Sequence, residues 1–200
     1  MRDQSTSELA LWYRQPAEQW VEALPIGNGR LGAMLFGGVA SERLQLNHDT
    51  LWSGAPSDWN NPRAKDILPE LRALIFAGKY AEADQLAKQM QGPYGQSYLP
   101  LGDLRVAFEH SAPLDSYQRW LDLDSAMAGV AYALGGAAFT REVFASAPDQ
   151  AVVMRLTCDQ PGMISFSATL DSQLWHTIAA SSAQLHLVGR APRHVAPSYY

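Results

Sequence analysis

The stretch VAYALGGAAFTREVFA (residues 130–145) decides the fold class of this chain. Residues 130–134 alternate along the chain and end at Gly135-Gly136, which is a turn signal. In residues 139–145 every second side chain faces one way, and the side chains between them face the other. A period of two is the period of a β-strand, so the stretch predicts β structure on both sides of a turn.

Similar strand patterns extend in both directions along the chain. Residues 151–156 form an apolar run that predicts a more deeply buried strand. Turn signals such as Pro148-Asp149 and Gln160-Pro161-Gly162 separate the strands at short intervals. We therefore expect a mainly β fold, built as a large antiparallel β-sandwich. The other predicted strands are an edge strand starting at Leu11, a strand at residues 20–24 after a turn at Pro16, and residues 42–46, 104–108 and 164–168.

Two short α-helices are predicted inside this β series, at about residues 62–91. Asn61-Pro62 supplies an N-cap followed by proline at the first helical position. Pro69 must either start the regular helix or kink it, and Gly78 ends it. The second helix is closed by Gly92-Pro93. Helical spacing is carried by Ile67, Leu68, Leu71, Leu74 and Ile75, and then by Tyr80, Ala83, Ala87 and Met90.

The motif GNGRLG (residues 27–32) fits the dinucleotide pattern G-x-G-x-x-G, but we reject that interpretation. A dinucleotide loop must open a helix, whereas residues 31–38 are rich in glycine and form a poor helix. Asn28-Gly29 is instead a strong β-hairpin signal, because both residues tolerate positive φ. The motif predicts a hairpin, and no cofactor is expected.

Composition excludes several classes of function. The formal net charge of −5 argues against electrostatic binding of nucleic acid, and no basic amphipathic stretch suits a membrane surface. The single cysteine, Cys158, excludes an intrachain disulfide and any cysteine-rich zinc site, and we expect a buried, inert thiol. As written, the chain has no signal peptide and is expected to be cytoplasmic, or periplasmic or secreted if the true start lies upstream.

The stretch NHDTLWSG (residues 47–54) concentrates polar and aromatic chemistry directly after a predicted strand. Sugars offer hydroxyls to such polar groups and an apolar face to an indole, so the mixture suits carbohydrate. A structural role is equally open at this stage. Asp49 and Ser53 are also turn formers, and Trp52 is also a suitable core anchor.

No self-sufficient active site is evident in the sequence. There is no G-x-S-x-G nucleophile elbow, P-loop or H-E-x-x-H zinc helix. The five histidines are scattered singly without metal-ligand spacing, so no metal site is expected. Glycoside hydrolysis needs two carboxyl groups held across a cleft, and sequence spacing does not decide whether any pair here meets that geometry.

Aromatic residues in or next to predicted loops suit sugar stacking or docking against another domain. Burial in the core is the competing interpretation, and we expect it for at least half of them. These residues are Trp52, Trp59, Tyr94, Tyr98, Trp175, Tyr199 and Tyr200.

Several long motifs resemble glycoside hydrolase family 95, the α-L-fucosidases and related α-L-galactosidases. The opening signature is WVEALPIGNGRLGAM (residues 20–34), followed by QLNHDTLWSG (residues 45–54). The resemblance covers about residues 11–200. Further matches, in order, are PLGDL (residues 100–104), LDL (121–123), REVFAS (141–146), PDQ (148–150) and GRAPRHV (189–195).

This resemblance implies an architecture and a reaction. Family members carry an N-terminal β-sandwich domain, a helical linker, an α-toroid with the catalytic groups and a C-terminal β domain. They hydrolyse terminal α-L-fucosyl linkages with inversion. The resemblance implies a flexible N-terminus at residues 1–10 and an N-terminal β-sandwich domain at residues 11–200. That domain is expected to be incomplete at its C-terminal end, with the catalytic toroid absent.

Consequently no catalytic residue is expected in this chain, and its expected partners are the missing catalytic α-toroid domain and a fucosylated oligosaccharide or polysaccharide. Family members often have Glu where this chain has His48, which suggests a hydrogen-bonding or interface role there. A free-standing carbohydrate-binding module and a remnant without function remain alternatives. The candidate residues for the substrate or domain interface are Asn47, His48, Asp49, Trp52 and His194.

Overall fold

The computed structural model describes residues 9–110 and 112–195, which form two compact units. The first unit comprises the chain up to Leu51 together with Leu99–Ala191. The second comprises Trp52–Tyr98 and the chain from Pro192 onward. Most of the predicted flexible N-terminus, and both Tyr199 and Tyr200, lie outside the described residues. The predicted domain boundaries stay a prediction.

The first unit is built from antiparallel β-sheets, as predicted. The strands are β1 (Ala10–Tyr13), β2 (Leu24–Gly27), β3 (Leu31–Leu35), β4 (Ser41–His48), β5 (Gly102–Phe108), β6 (Leu114–Asp122), β7 (Met127–Leu134), β8 (Ala137–Ser146), β9 (Ala151–Cys158), β10 (Phe166–Asp171), β11 (Trp175–Ala180) and β12 (Leu185–Arg190). One five-stranded sheet has the order β1-β6-β7-β8-β9, a second has the order β10-β5-β4-β3-β2, and β11 pairs only with β12 among the described strands.

The hydrophobic core lies between the two five-stranded sheets. β7 and β8 are joined at Gly135-Gly136, whose φ angles of 55° and 84° suit a tight hairpin. The alternation of residues 130–145 thus places one set of side chains in the core, which confirms the β-sandwich. The buried core consists of Leu24, Ile26, Ala33, Leu35, Leu44, Leu121, Ala128, Val130, Tyr132, Leu134, Ala137, Phe139 and Val143.

A buried ion pair links the two sheets through this core. Glu42 of β4 and Arg141 of β8 are 0% and 1% exposed, with Oε2 and Nη1 3.1 Å apart. The Gly37 N–H donates to Glu42 Oε1, and Arg141 Nη2 donates to the Gly38 carbonyl. Burial raises the pKa of Glu42, against the opposing effect of Arg141. The sequence pattern placed Arg141 on one face of its strand but did not reveal its partner.

The predicted strand at residues 20–24 is wrong. Trp20–Glu22 is a short 3-10 helix, and β2 begins only at Leu24. The Glu22 carboxylate accepts hydrogen bonds from the Glu18 and Gln19 N–H groups, which stabilises a turn rather than an extended chain. Buried Arg119 holds the same segment, because its Nη1 donates to the Glu22 carbonyl at 2.6 Å.

Residues 151–156 do form a strand, but not a deeply buried one. β9 is the outermost strand of the first sheet, and its residues alternate between half-buried and exposed. β9 lies at the margin of the core, because its Val152 and Met154 pack against the buried cluster but are only half-buried. Cys158, at the end of β9, is accordingly half-buried rather than buried.

The second unit carries the two predicted helices, α1 (Ala64–Phe76) and α2 (Tyr80–Ala87). The predicted start is early, because Asn61 caps a turn that precedes α1: its Oδ1 accepts from the Arg63 N–H. Pro69 lies inside α1. Gly78 ends α1 with a φ of 72°, and the Lys79 N–H returns to the Leu74 carbonyl as in a Schellman motif. None of the described helices has the length and apolar content needed to cross a bilayer.

Candidate functional site

The candidate stretch begins at the end of β4, in the first unit. The hairpin joining β2 and β3 brings Arg30 beside this end, because Leu31 pairs with His48 in the sheet register. The Arg30 carbonyl accepts from the Asp49 N–H at 2.9 Å, and Arg30 Nε donates to His48 Nε2 at 3.2 Å. The GNGRLG hairpin therefore holds a cation against His48.

The other ring nitrogen of His48 faces Asp49 and Thr50. Nδ1 lies 3.1 Å from Asp49 Oδ1 and 2.9 Å from Thr50 Oγ1. His48 is half-buried, whereas Arg30, Asp49 and Thr50 are exposed. We call these four residues the His48 cluster. Its open position and mixed charges suit hydrogen bonding with a polar partner.

Asn28 fixes the hairpin that carries Arg30. Its Oδ1 accepts from the Arg30 and Leu31 N–H groups, and its Nδ2 donates to the Ser146 carbonyl of β8 at 2.7 Å. Gly29 has a φ of 88°, which a residue with a side chain rarely adopts. The hairpin prediction is confirmed, and the motif's asparagine ties one sheet to the other.

In the second unit, Trp52 and Tyr98 form an antiparallel bridge. Their ring centroids lie 5.1 Å apart in an edge-to-face arrangement. Both side chains remain exposed, which rules out Trp52 as a core anchor. This pair presents aromatic surface held in a defined geometry.

Ser53 and Gln96 connect the two segments that carry this aromatic pair. Ser53 is buried, its N–H donates to the Ser97 carbonyl, and its hydroxyl donates to Gln96 Oε1 at 3.0 Å. Gly54 has a φ of 95°, and a Cβ there would lie 2.3 Å from the Gln96 side chain. His194 Nδ1 lies 3.2 Å from Gln96 Nε2. Gln96 is thus the residue that brings His194 to this segment.

The five candidate residues fall into separate groups. Asn47, His48 and Asp49 lie at the end of β4 in the first unit, whereas Trp52 and His194 belong to the second. Asn47 is exposed and pairs with Gly32 in the sheet. Sequence reasoning missed Arg30 and Gln96. Strand register could have revealed Arg30, because a hairpin at Asn28-Gly29 places this residue beside the end of β4.

The expectation that at least half of the loop aromatics are buried is wrong for those that the structure describes. All five described members are exposed. They are Trp52, Trp59, Tyr94, Tyr98 and Trp175.

Two cavities of the first unit are too small for a sugar. A cleft of about 30 Å³ between β4, β5 and the end of β10 holds only a few water molecules. Asp103 and Asp171 line it, but Asp103 is engaged by Arg43 at 2.8 Å. A second cavity, of about 10 Å³, lies beside His110. Neither cleft holds a pair of carboxyl groups across a space that fits a pyranose.

The second unit has an open groove of about 510 Å³ between α1 and α2. Glu70 and Glu82 lie on its sides, but both are exposed, and Glu82 pairs with Lys79 at 3.3 Å. A catalytic acid in a glycosidase is set apart from its partner by burial in apolar surroundings, whereas Glu70 and Glu82 are both exposed to solvent. Over residues 9–110 and 112–195, no three His, Cys, Asp or Glu side chains group closely enough to hold a metal ion.

Residues 11–199 match the family model described as glycosyl hydrolase family 65, N-terminal domain. The chain belongs to this family. It is 43% identical over 171 residues to the Arabidopsis thaliana protein named alpha-L-fucosidase 2, covering 84% of this chain and 20% of the relative. The proteins named probable alpha-fucosidase A of Aspergillus niger and Aspergillus oryzae are 37% and 34% identical over 142 residues. These alignments cover 68% of this chain and 18% and 19% of the two relatives.

The chain therefore spans about a fifth of the length of the curated relatives it matches. The matched model carries the number 65, whereas the sequence motifs resemble family 95. The names of the relatives support the resemblance to α-L-fucosidases, and the recognition is confirmed.

Proposed function

We propose that this chain is a non-catalytic portion of an α-L-fucosidase, and that it supports and borders a separate catalytic α-toroid domain. The observation that carries the proposal is the 43% identity, over 84% of the chain, to a protein named alpha-L-fucosidase 2. The whole enzyme would hydrolyse terminal α-L-fucosyl linkages of an oligosaccharide or polysaccharide with inversion.

The chemistry supports a division of labour between this chain and another domain. An inverting glycosidase needs an acid and a base roughly 6.5–9.5 Å apart on opposite sides of the sugar ring. Neither the cleft lined by Asp103 and Asp171 nor the cavity beside His110 offers such a pair around a sugar-sized space. This supports a catalytic acid and base supplied from outside the chain.

The role we assign to the candidate residues is that of a border. The His48 cluster presents donors and acceptors, and Trp52 presents an exposed indole. Asn47 and His194 supply further polar groups on the same two segments. Polar groups of this kind and an exposed aromatic ring each suit a wet protein–protein interface, and equally the edge of a glycan site.

A rate assay tests this proposal. The purified chain, at micromolar concentration, is incubated with an aryl α-L-fucoside and release of the aryl group is followed. We expect the rate to equal the background without protein. Hydrolysis well above background, scaling with the concentration of the chain, would contradict the proposal.

A free-standing carbohydrate-binding module is a second candidate, favoured by the exposure of Trp52, Trp59, Tyr94 and Tyr98. Aromatic faces of this kind stack on sugar rings. Titration with fucosylated oligosaccharides, followed by tryptophan fluorescence, separates the two functions. Saturable binding by the isolated chain, lost in Trp52→Ala, would favour the module. The border role predicts no saturation.

A further inference from the structure

The His48 ring lies between a permanent cation and a carboxylate. On one side, Arg30 Nε donates to His48 Nε2 at 3.2 Å. A guanidinium group has donors but no acceptor and stays protonated at every accessible pH. His48 Nε2 must therefore present its lone pair, and the proton of a neutral ring must lie on Nδ1.

The contacts at Nδ1 support this assignment, with one exception. Asp49 Oδ1, 3.1 Å from Nδ1, is an acceptor, whereas the Thr50 hydroxyl at 2.9 Å can either accept or donate. The Thr50 N–H also points at Nδ1, at 3.2 Å, and this contact would favour the opposite tautomer. That tautomer would turn a proton on Nε2 toward Arg30 and an Nδ1 lone pair toward the Asp49 carboxylate. Hydrogen bonds to charged groups are about twice as strong as neutral ones. The contacts with Arg30 and Asp49 therefore outweigh the contact with the Thr50 N–H and favour the tautomer with its proton on Nδ1.

We propose that Arg30 is the positioning residue of the His48 cluster: it orients the ring so that Nε2 presents its lone pair and the ring proton lies on Nδ1. This inference deepens the border role and rests on that proposed function for its biological meaning. In this orientation His48 offers Nε2 as the acceptor for Arg30 and Nδ1–H as the donor toward Asp49.

The backbone explains why Arg30 can act in this way. Asn28 Oδ1 holds the Arg30 N–H at 3.0 Å, and the Arg30 carbonyl holds the Asp49 N–H at 2.9 Å. Arg30 is thus fixed by its own main chain on both sides of the side chain that reaches His48. The GNGRLG motif, which we do not interpret as a nucleotide-binding loop, thus forms the hairpin that positions Arg30.

Long-range ¹⁵N–¹H correlation spectra of the histidine rings test the proposal on the intact chain. At pH 8 we expect His48 to show the pattern of a ring protonated at Nδ1, with the other tautomer nearly absent. In Arg30→Met we expect a mixture of both tautomers. Arg30→Lys keeps the charge but loses the planar Nε–H, so we expect it to resemble Arg30→Met and not the parent.

A matched control is Arg105→Met, which removes an exposed arginine of β5 that contacts Asp103 instead. It should leave the His48 pattern unchanged. A predominantly Nε2-protonated ring in the parent, a doubly protonated ring at pH 8, or an unchanged pattern in Arg30→Met would each overturn the proposal. Because Arg30 is exposed, unfolding curves of its variants should match the parent and exclude a general loss of structure.

This readout is independent of the fucosidase assignment. If the tautomer responds to Arg30 while the chain alone cleaves an aryl α-L-fucoside, the proposed function fails and the inference stands. If the chain is inert but the tautomer ignores Arg30, the inference alone fails.

Discussion

A row of five leucines, one from each strand, crosses the second sheet from β2 to β10. The first three are only 0–1% exposed, whereas the last two are half-buried. All five point to the same face in a continuous register, so residue type and strand pattern are constant along the row. What differs is the cover that the first sheet provides. In order, the row is Leu24, Leu35, Leu44, Leu104 and Leu170.

The first sheet shows the same gradient. Leu121, Ala128 and Val143 are buried in register with one another, and Met154, their neighbour on β9, is only half-buried. We call β9, β10 and the β11–β12 hairpin the open side of the sandwich. None of their described residues is buried.

Large apolar side chains on the open side lie in contact with solvent. Trp175 is 65% and Val188 64% exposed, and Phe166 is also exposed. An isolated two-stranded hairpin is marginally stable in water, so β11 and β12 gain little from each other alone. The comparison shows that the core covers the leucines of β2, β3 and β4, whereas large apolar side chains of β10, β11 and β12 are in contact with solvent.

The largest effect should follow from breaking the buried ion pair between Glu42 and Arg141. Arg141→Ala leaves Glu42 charged and unpaired in the core, and we expect a loss of about 3–5 kcal/mol in the free energy of unfolding. Arg155→Ala, on the next strand, removes an exposed pair with Glu142 and should cost at most about 1 kcal/mol. Urea unfolding of the two variants measures the contrast. Equal losses would contradict the burial of the Glu42–Arg141 pair in the core between the two sheets.

The leucine row provides the next test. Leu35→Ala removes a fully buried side chain and should cost about 2–5 kcal/mol. Leu170→Ala, on the same face of the same sheet, should cost much less, because solvent already reaches that side chain. The same urea unfolding experiment applies. A loss in Leu170→Ala as large as that in Leu35→Ala would show that the open side is covered in solution.

Polar substitution on the open side should change association more than stability. We expect Trp175→Ser combined with Val188→Thr to alter the free energy of unfolding by about 0.5 kcal/mol or less. The double variant should bind less of a hydrophobic dye and elute as a sharper monomer peak in gel filtration. The matched exposed position Tyr80→Ser, on α2, controls for loss of any aromatic residue. Undiminished dye binding would argue against an exposed apolar side.

The smallest expected effect is a dependence of stability on pH. Burial, and then the charge of Arg141, lower the pKa of His110, whose Nε2 lies 2.9 Å from the Tyr132 hydroxyl. His110 therefore binds a proton more readily in the unfolded chain than in the folded one. The contribution of neutral His110 to the stability of the fold is complete above the ordinary pKa of 6.5 and decreases as the pH falls below it. Unfolding at pH 7.5 and pH 5.5 should show a smaller difference in His110→Gln than in the parent. An equal difference would remove His110 from the explanation.

Much of the fold followed from local patterns. Alternation predicted the hairpin at Gly135-Gly136, and turn chemistry predicted the one at Asn28-Gly29. Pattern failed where a side chain overrode it, as at residues 20–24, where Glu22 caps a turn and Arg119 holds it. It also failed for residues 151–156, because an apolar run does not reveal whether a second sheet lies opposite.

The candidate site was accessible to sequence reasoning only in part. Composition singled out His48, Asp49 and Trp52 because their chemistry is unusual in a turn. Arg30 and Gln96 were missed, since their contacts span 18 and 98 positions and depend on strand register and on the path of residues 192–195. The Glu42–Arg141 pair was equally hidden, because its members are 99 positions apart and belong to different sheets.

The most direct test of the central claim is a reconstitution assay. The purified chain is mixed with the Arabidopsis thaliana relative from which the aligned N-terminal segment has been removed, and hydrolysis of an aryl α-L-fucoside is followed. The account predicts background rates for each component alone and a rate that rises with added chain in the mixture. Hydrolysis by the chain alone, at a rate that the second component leaves unchanged, would contradict it.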